Sequence, residues 1–271
     1  MEQKNIDDYI LGTNYDELER LGHQHKVWRS AALKVWKESG VKSGSKIIDF
    51  GAGPGFASFD LAKIVGPNGK VVALERSKIF LEYLNSKKKK LNIEAIEIDL
   101  EKKIVPIKNF DFFWSRWAIA FLSNPEKIIK HLRGNLKIGG KAIFHEYVHY
   151  NTYQILPKIN LVDEFVGHVV KNWRSGGGEP NIANKVISLL EKNGFKIIHT
   201  KPLVYSAKPH SKFWNWPVGF IRVHVNRLLE LGNVDKKWVK NILSEINRAE
   251  KNPNSILITP MVLEIVAERI K

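Results

Sequence analysis

The sequence predicts an α/β protein with a doubly wound, mostly parallel β-sheet, and three observations support this prediction. Short, almost continuously apolar segments alternate with helical segments, which is typical of parallel strands that are buried on both faces. A tight glycine turn follows the first apolar segment and precedes a helix. Acidic residues end three consecutive strands, at the edge of an open sheet where ligands bind.

The first third of the chain supplies a helix followed by alternating strands and helices. A helix is predicted over residues 15–37, because Leu18, Leu21, Trp28, Ala32 and Val35 recur on one face. Strands are predicted at 46–50, 70–75 and 93–100, with helices at 56–64 and from 78 to about 91 between them. Ser77 is the expected cap of the second of these helices.

The middle of the chain adds two strands and one helix. A fourth strand starts near Phe110, and a fifth covers residues 141–147. Between them, Asn124 offers a helix cap and Pro125 occupies the first helical position, which its fixed backbone angle suits. This helix is predicted to end at Gly139–Gly140, because glycine commonly terminates helices.

The last part of the chain changes pattern, because helical insertions interrupt the strands. Helical segments are predicted at 149–174, 182–192 and 212–249, a flexible loop at 175–180, and strands at 195–206 and 260–270. We therefore expect an N-terminal helical segment at 1–40, a ligand-binding core at 41–148 and a remainder at 149–271. Within the remainder, residues 180–205 and 255–270 would complete the sheet, and the insertions at 149–178 and 210–250 would form a lid over the substrate.

Composition is ordinary for a soluble globular protein, but the charge is not. The 271 residues are 44% hydrophobic, contain no cysteine and carry a formal charge of +15. The lack of cysteine excludes disulfides, thiolate metal sites and cysteine nucleophiles. No apolar stretch approaches the roughly 20 residues that span a bilayer, and the polar N-terminus is unlike a secretory signal, so we expect a cytoplasmic protein. The charge would suit a nucleic-acid partner, but no basic–aromatic pattern of an RNA-binding module accompanies it.

The glycine turn after the first strand discriminates between classes of nucleotide ligand. A dinucleotide fingerprint has glycines spaced G-x-G-x-x-G, and the third allows the helix to pack closely on the strand. Gly51 and Gly53 fit this spacing, but Phe56 occupies the third position and would hold the helix off the strand. The Gly-Lys-Ser/Thr sequence of a P-loop does not follow either.

The pattern D-x-G-x-G-x-G, from Asp49 to Gly55, instead resembles motif I of the class I methyltransferases that depend on S-adenosylmethionine (SAM). Gly51 and Gly53 would let the backbone approach the ligand, and Asp49 would accept a hydrogen bond from its ammonium. Glu75, at the end of the second strand, would accept both ribose hydroxyls.

The third strand end and the fourth strand extend this resemblance. In the family, the position of Asp99 and Leu100 serves adenine, through the acid and the backbone of the next residue. The segment 110–122 is similar to the family's fourth-strand motif, with Asp111 opening it and Ser115, Arg116 and Trp117 at its ligand-facing end. The closing segment 259–270 looks like the family's final antiparallel strand, which implies a seven-stranded Rossmann-like sheet.

Residues 9–28 resemble the N-terminal helix of small-molecule methyltransferases of the ubiquinone/menaquinone-biosynthesis type. This resemblance implies that Tyr9 packs near the methionine end of SAM and that Arg20 pairs with its carboxylate. Either Gln24 or His25 would add a hydrogen bond. The cofactor-binding residues expected from the whole resemblance are Tyr9, Arg20, Gln24, Asp49, Gly51, Ala52, Gly53, Gly55, Glu75, Arg76, Asp99, Leu100, Ser115 and Arg116.

Candidates for the chemical step and for the acceptor lie around the end of the fifth strand. His145 or His149 would serve as a general base, although a histidine bonded to the backbone is an equally good interpretation of each. The expected substrate-binding residues are Trp117, Glu146, Tyr147, Trp173 and Trp216, of which the aromatic ones would wall an apolar pocket unless they are simply core. No histidine–carboxylate spacing indicates a metal site.

The sequence thus favours a SAM-dependent methyltransferase that produces S-adenosylhomocysteine (SAH) and methylates an O, N or C atom of a small molecule. Two alternatives stay open: an RNA or protein methyltransferase that uses the basic surface, and a SAM-binding module without catalysis. A monomer and a homodimer are equally compatible with the sequence.

Overall fold

The computed structural model describes residues 15–103 and 107–271, and its centre is a seven-stranded sheet. The strands of these residues are β1 (Lys46–Phe50), β2 (Lys70–Glu75), β3 (Ile93–Glu97), β4 (Phe110–Arg116), β5 (Leu136–His149), β6 (Gln154–Leu156), β7 (Phe195–Leu203), β8 (Ser206–Ala207), β9 (Ile256–Ile258) and β10 (Met261–Arg269). The central sheet has the order β3-β2-β1-β4-β5-β10-β7. β10 is antiparallel to both of its neighbours, whereas β1 to β5 pair in parallel. The predicted α/β fold with an antiparallel last strand is confirmed.

Helices cover both faces of this sheet. They are α1 (Tyr15–Ser39), α2 (Phe56–Val65), α3 (Lys78–Lys87), α4 (Pro125–Asn135), α5 (Asn160–Ser175), α6 (Ala183–Lys192), α7 (Lys212–Glu230) and α8 (Lys236–Lys251). Ile47 of β1 packs in an apolar cluster with α1, α2 and α3, whereas the next residue, Ile48, packs in a second cluster with α4 and α6. Because consecutive strand side chains point to opposite faces, a continuously apolar strand needs a helical layer on each side.

Two helix caps form as the sequence predicts. The Ser77 hydroxyl accepts a hydrogen bond from the Phe80 N–H at the start of α3, at 3.4 Å. The Asn124 side chain accepts from the Lys127 N–H at the start of α4, at 3.1 Å, with Pro125 at the first helical position. These caps fix where the two helices begin, directly after loops that reach the ligand-binding edge of the sheet.

The predicted ends of α3 and α4 are wrong. α3 ends at Lys87, several residues before the predicted end at Leu91, and α4 ends at Asn135. Gly139 and Gly140 belong to the irregular start of β5, where the β4–β5 register shifts. Gly139 has φ +78°, and a Cβ on Gly140 would stand 2.9 Å from the Lys137 carbonyl oxygen, so both glycines serve this tight backbone path.

The helical prediction for residues 149–174 is wrong over its first part. β5 continues to His149 because it pairs with β10 along its length, and a 3-10 turn covers Tyr150–Thr152. Residues 154–156 then form β6, which pairs with β9 in a three-stranded sheet of order β6-β9-β8. Strands of two or three residues carry no detectable period, so the sequence does not reveal this small sheet.

The predicted helical insertion at 212–249 is two helices, α7 and α8, with Asp235 capping the second. α7 contacts α1, α5 and α8, so the helical additions and the N-terminal helix meet over the same edge of the sheet. Among the residues described here, no helix has both the length and the apolar character needed to cross a bilayer.

Candidate functional site

A cavity lies at the carboxyl ends of the central strands, beneath α1 and α7. Residues at or just after the ends of β1, β2, β3 and β4 line it, together with residues of α1, α5 and α7. The sequence-predicted residues that line it are Arg20, Gln24, Asp49, Gly51, Ala52, Gly53, Glu75, Arg76, Asp99, Leu100, Arg116, Trp117, Tyr147, Trp173 and Trp216. The acids and the glycine turn, called here the acidic half, come from the sheet, whereas the aromatic residues, called here the aromatic half, come mostly from the later insertions.

Five predicted residues do not line this cavity, and one cannot be placed. Gly55, Ser115, His145, Glu146 and His149 are absent from its wall. Gly55 begins α2 with φ +83°, and a Cβ there would stand 2.6 Å from Leu84, so its role is the packing of α2 against α3. Tyr9 lies outside the described residues.

Glu75 is fixed in place by backbone hydrogen bonds. Its Oε1 accepts from the N–H groups of Arg76 and Ser77, each at 2.9 Å, and its Oε2 accepts from the Gly53 N–H at 2.8 Å. The bond to Gly53 ties the end of β2 to the glycine turn after β1. Because a carboxylate has about four acceptor sites, Glu75 keeps capacity to accept from a ligand hydroxyl.

Asp49 ends β1 as an almost fully buried carboxyl. Its Oδ2 accepts a hydrogen bond from the Ser58 hydroxyl at 2.5 Å. Burial raises the pKa of Asp49 to about 6, although the Ser58 bond and the positive charge of Arg116 act in the opposite direction. The group therefore titrates near neutral pH and would gain from a cationic ligand group.

Asp99 follows β3 and is more exposed than Asp49. Its Oδ1 accepts from the Glu101 N–H at 3.0 Å, and Lys102 lies 3.2 Å from its Oδ2. Despite partial burial, the hydrogen bonds from Glu101 and Lys102 hold the pKa of Asp99 below its usual value. This side chain is therefore ionised at neutral pH and oriented along the cavity wall.

A hydrogen-bonded chain connects α2, α1 and β4 at the cavity. Asp60 accepts two bonds from Arg29, at 2.6 and 3.0 Å, and lies 3.0 Å from Nε2 of His25. Nδ1 of His25 lies 3.0 Å from an Nη2 donor of Arg116. Because an arginine only donates, Nδ1 must accept and Nε2 must carry the proton that His25 donates to Asp60. Burial lowers the pKa of His25, which agrees with a neutral ring.

Arg20 on α1 already has a carboxylate partner. It donates two bonds to Glu17, at 2.6 and 2.7 Å, and one to the Gln24 side-chain oxygen at 3.0 Å. The same oxygen of Gln24 accepts from the Trp216 indole N–H at 3.0 Å, which joins α1 to α7. The predicted pairing of Arg20 with a ligand carboxylate would therefore compete with Glu17.

The aromatic half of the cavity consists of stacked rings from distant parts of the chain. Trp117 stacks on Tyr147 with ring centroids 5.3 Å apart, and on Trp216 at 5.6 Å. Phe121 stacks on Trp173 at 4.5 Å. Behind them, Trp28 is fully buried and meets both Trp117 and Trp216 edge-on, so these rings form a fixed wall.

Glu146 was predicted to bind substrate, but its carboxyl lies beneath the loop after β4. Its Oε1 accepts from the Ile119 N–H at 3.1 Å. Burial raises the pKa of Glu146 to about 8, although nearby backbone N–H groups favour the charged form. The loop that it supports carries Trp117, Ala118 and Phe121 into the cavity wall, so Glu146 acts on the site through this loop.

The two histidines predicted as general bases lie away from the cavity. His145 is fully buried, and its Nε2 lies 2.9 Å from Glu264, which also meets His199 at 3.0 Å. Burial lowers the pKa of His145. His149 is exposed at the end of β5. This placement gives the histidine predictions no support.

Several residues of the site were not predicted from the sequence. Tyr150 and Tyr153 line the cavity, and Asp60 orients His25 from behind it. A signal for Asp60 was present, because it is the single charged residue in the mostly apolar stretch "FASFDLA" of α2. The two tyrosines gave no signal, because they fall in the segment that was predicted to be helical.

Comparison with known proteins identifies similar chains. Residues 41–200, more than half of the chain, match the family described as "Methyltransferase domain". The demethylmenaquinone methyltransferase of Staphylococcus carnosus is 32% identical over 136 residues, which cover 49% of this chain and 55% of that protein. The ubiquinone/menaquinone biosynthesis C-methyltransferase of Pseudomonas fluorescens is 28% identical over 130 residues, covering 46% and 50%. The chain thus matches only about half the length of these curated relatives.

Solved structures share the fold over nearly the whole chain. A Bacillus halodurans C-125 protein assigned to the methyltransferases has a TM-score of 0.60 and 16% identity, covering 89% of this chain and all of that one. A SAM-dependent methyltransferase from Mesorhizobium loti has a TM-score of 0.56 and 16% identity, covering 90% and 98%. At this identity the similarity establishes the fold alone.

Proposed function

Because the chain belongs to the methyltransferase-domain family, we propose that it is a SAM-dependent methyltransferase that acts on a small-molecule acceptor. The methyl group goes to an oxygen, nitrogen or carbon atom of that acceptor. One observation carries the proposal: a single cavity joins the acidic ends of three strands to a space walled by aromatic rings. The acidic half suits the cofactor, and the aromatic half suits an acceptor of limited size.

The residues of the acidic half fit the chemical groups of SAM. Asp49 offers a carboxylate to the ammonium, and Glu75 offers acceptor capacity to the ribose hydroxyls. Gly51 and Gly53, with φ of +66° and +55°, keep side chains out of the turn that would face the ligand. Asp99 and Leu100 would serve the adenine, and no residue of this set conflicts with SAM.

Bound SAM supplies a methyl group that its sulfonium centre has already activated. The protein's contribution is then to align the acceptor atom and to exclude water. The stacked rings of Trp117, Tyr147 and Trp216 would form a fixed wall that limits how the acceptor can lie. α1 and α7, joined through Gln24 and Trp216, would cover the site as the N-terminal segment and the lid. The arrangement needs no general base when the acceptor atom carries no proton.

The two alternative functions require different properties of the protein. An RNA or protein methyltransferase would use the formal charge of +15 and would bind polyanions with a steep salt dependence. A cavity walled by buried aromatic side chains favours a small acceptor. A binding module without catalysis would bind SAM and transfer nothing to any acceptor.

Glu75→Gln tests the cofactor site. We expect SAM affinity to fall about 10- to 100-fold, because charge-assisted hydrogen bonds to the ribose are lost. Glu94→Gln is the matched control, because Glu94 is a half-exposed residue of β3 paired with Lys70. Calorimetric titration of both variants, with melting curves to show that they fold, measures the difference. Equal SAM affinity of Glu75→Gln and the wild type would remove the cofactor assignment.

A further inference from the structure

Arg116 is a buried cation that makes no direct ion pair with a carboxylate among the described residues, although the charge of Asp49 acts on it. Within the described ranges 15–103 and 107–271, its Nη2 donates to His25 and its Nη1 is buried without an acceptor. Burial lowers the pKa of Arg116 to about 10, so the guanidinium stays charged at neutral pH. Arg20, in contrast, is matched by two bonds to Glu17.

The position of Arg116 is set by a chain of residues that leads away from the cavity. Arg29 holds Asp60, Asp60 fixes the proton of His25 on Nε2, and Nδ1 of His25 then accepts from Arg116. The guanidinium also lies over the Trp117 ring, 5.4 Å from its centroid. A buried guanidinium whose Nη1 has no hydrogen-bond acceptor among the described residues is costly for a fold. Such a cation is well placed to pair with an anionic ligand group.

The groups around Arg116 in the aromatic half are hydrogen-bond donors. Tyr147 and Tyr150 line the cavity, and both side chains are buried. Burial raises the pKa of both phenols, so they remain protonated and can donate. Among the carboxylates of the cavity wall, Asp49 acts on Arg116 through its charge, whereas Glu75, Asp99 and Glu101 belong to the strand ends of the acidic half.

We propose that Arg116, with the hydroxyls of Tyr147 and Tyr150, forms an oxyanion subsite, and that the methyl acceptor is a small aromatic molecule carrying an anionic oxygen. The proposal rests on the proposed function and names the substrate class of the same site. The aromatic plane of the acceptor packs against the aromatic half of the cavity, and its carboxylate or phenolate oxygen meets Arg116. His25 and Asp60 are positioning residues that act through Arg116.

The test uses benzoate and its neutral isostere benzamide as probes on the full chain saturated with SAH. The wild type is expected to bind benzoate at least tenfold more tightly than benzamide. Arg116→Met should reduce this preference about 10- to 100-fold, because a charge-assisted pair is lost. Asp60→Asn should reduce it by a smaller factor, because His25 then no longer orients Arg116. Arg248→Met, an exposed arginine of α8 bonded to Glu245, should leave the preference unchanged.

The outcomes separate this proposal from the proposed function. Equal affinity of the wild type for benzoate and benzamide would overturn the subsite even when SAH binds. Because Arg116→Met removes a buried charge that the fold accommodates, Arg116→Lys is a second test: it keeps the charge and should keep the preference for benzoate. A loss of SAH affinity in Arg116→Met without a loss for 5′-methylthioadenosine, which lacks the amino-acid end, would assign Arg116 to the cofactor carboxylate and overturn the proposal. A wild type that binds no SAH would instead remove the proposed function itself.

Discussion

At the scale of single residues, Asp49 links the chemistry of the site to pH. It lies almost fully buried between the Ser58 hydroxyl and the charge of Arg116, and burial raises its pKa to about 6. A ligand ammonium is attracted to the carboxylate form and gains nothing from the neutral acid. Binding of the amino-acid end of SAM therefore favours the deprotonated form of Asp49, and lowering the pH weakens binding.

We expect the affinity for SAH to be constant above pH 7 and to fall as the pH is lowered through about 6, by up to tenfold for each pH unit below the pKa. Asp49→Asn should bind SAH more weakly at pH 8 and should lose this pH dependence. Calorimetry between pH 5 and 8 measures the effect, and 5′-methylthioadenosine is the control because it has no ammonium. A pH-independent SAH affinity in the wild type would contradict the role of Asp49.

The residues near the end of β5 show which side-chain roles can be predicted from a sequence pattern and which cannot. Glu146 and Tyr147 are neighbours, yet alternation along the strand sends Tyr147 to the cavity and the Glu146 carboxyl beneath the loop after β4. His145 pairs with Glu264 of β10, a partner more than a hundred residues away in the chain. The spacing of residues within one strand gives no information about partners on distant strands. The sequence therefore predicts that these side chains lie together at the end of β5, but not what each of them does.

At the scale of elements, the glycine turn after β1 and the loop after β4 fit against each other. A Cβ on Gly51 would stand 2.4 Å from the Cβ of Ala118, and Gly51 has φ +66°. Ala118 belongs to the loop whose next N–H, that of Ile119, is held by Glu146. The turn and the loop therefore have a fixed separation, which sets the distance between the acidic and aromatic halves.

Gly51→Ala should destabilise the fold by about 1–3 kcal/mol, because it adds backbone strain and a clash with Ala118. It should also weaken SAH binding at least tenfold. Gly134→Ala in α4 is the matched control, because open space surrounds Gly134 and alanine favours a helix, so stability should rise by about 0.5–1 kcal/mol. Melting curves and SAH titrations of both variants test this, and a Gly51→Ala protein as stable as the wild type would be evidence against it.

Long elements with strong patterns are the ones that the sequence predicts well. The β1 and β2 boundaries match the structure, because apolar strands between glycine turns leave few alternatives. The sequence predicts α2 to within one residue of its end for the same reason. The three-stranded sheet of β6, β9 and β8 was not predicted, since its strands have two or three residues and exist only through pairing across the chain.

At the scale of the whole molecule, the fold class and family were predictable because they depend on the first half of the chain. The D-x-G-x-G-x-G turn and the strand-end acids are local signals, and the prediction of a class I methyltransferase from them is confirmed by the family match over residues 41–200. The aromatic half of the cavity depends on contacts between α1, α5, α7 and β5. Such contacts arise only in the folded chain, so the acceptor site was predicted incompletely.

The central claim is that this cavity binds SAM and not a dinucleotide. Calorimetric titration of the purified chain with SAH and, in parallel, with NAD tests it most directly. We predict saturable binding of one SAH per chain and no measurable binding of NAD, because Phe56 stands where the third glycine of a dinucleotide fingerprint would be. Saturable binding of NAD with no binding of SAH would contradict the claim.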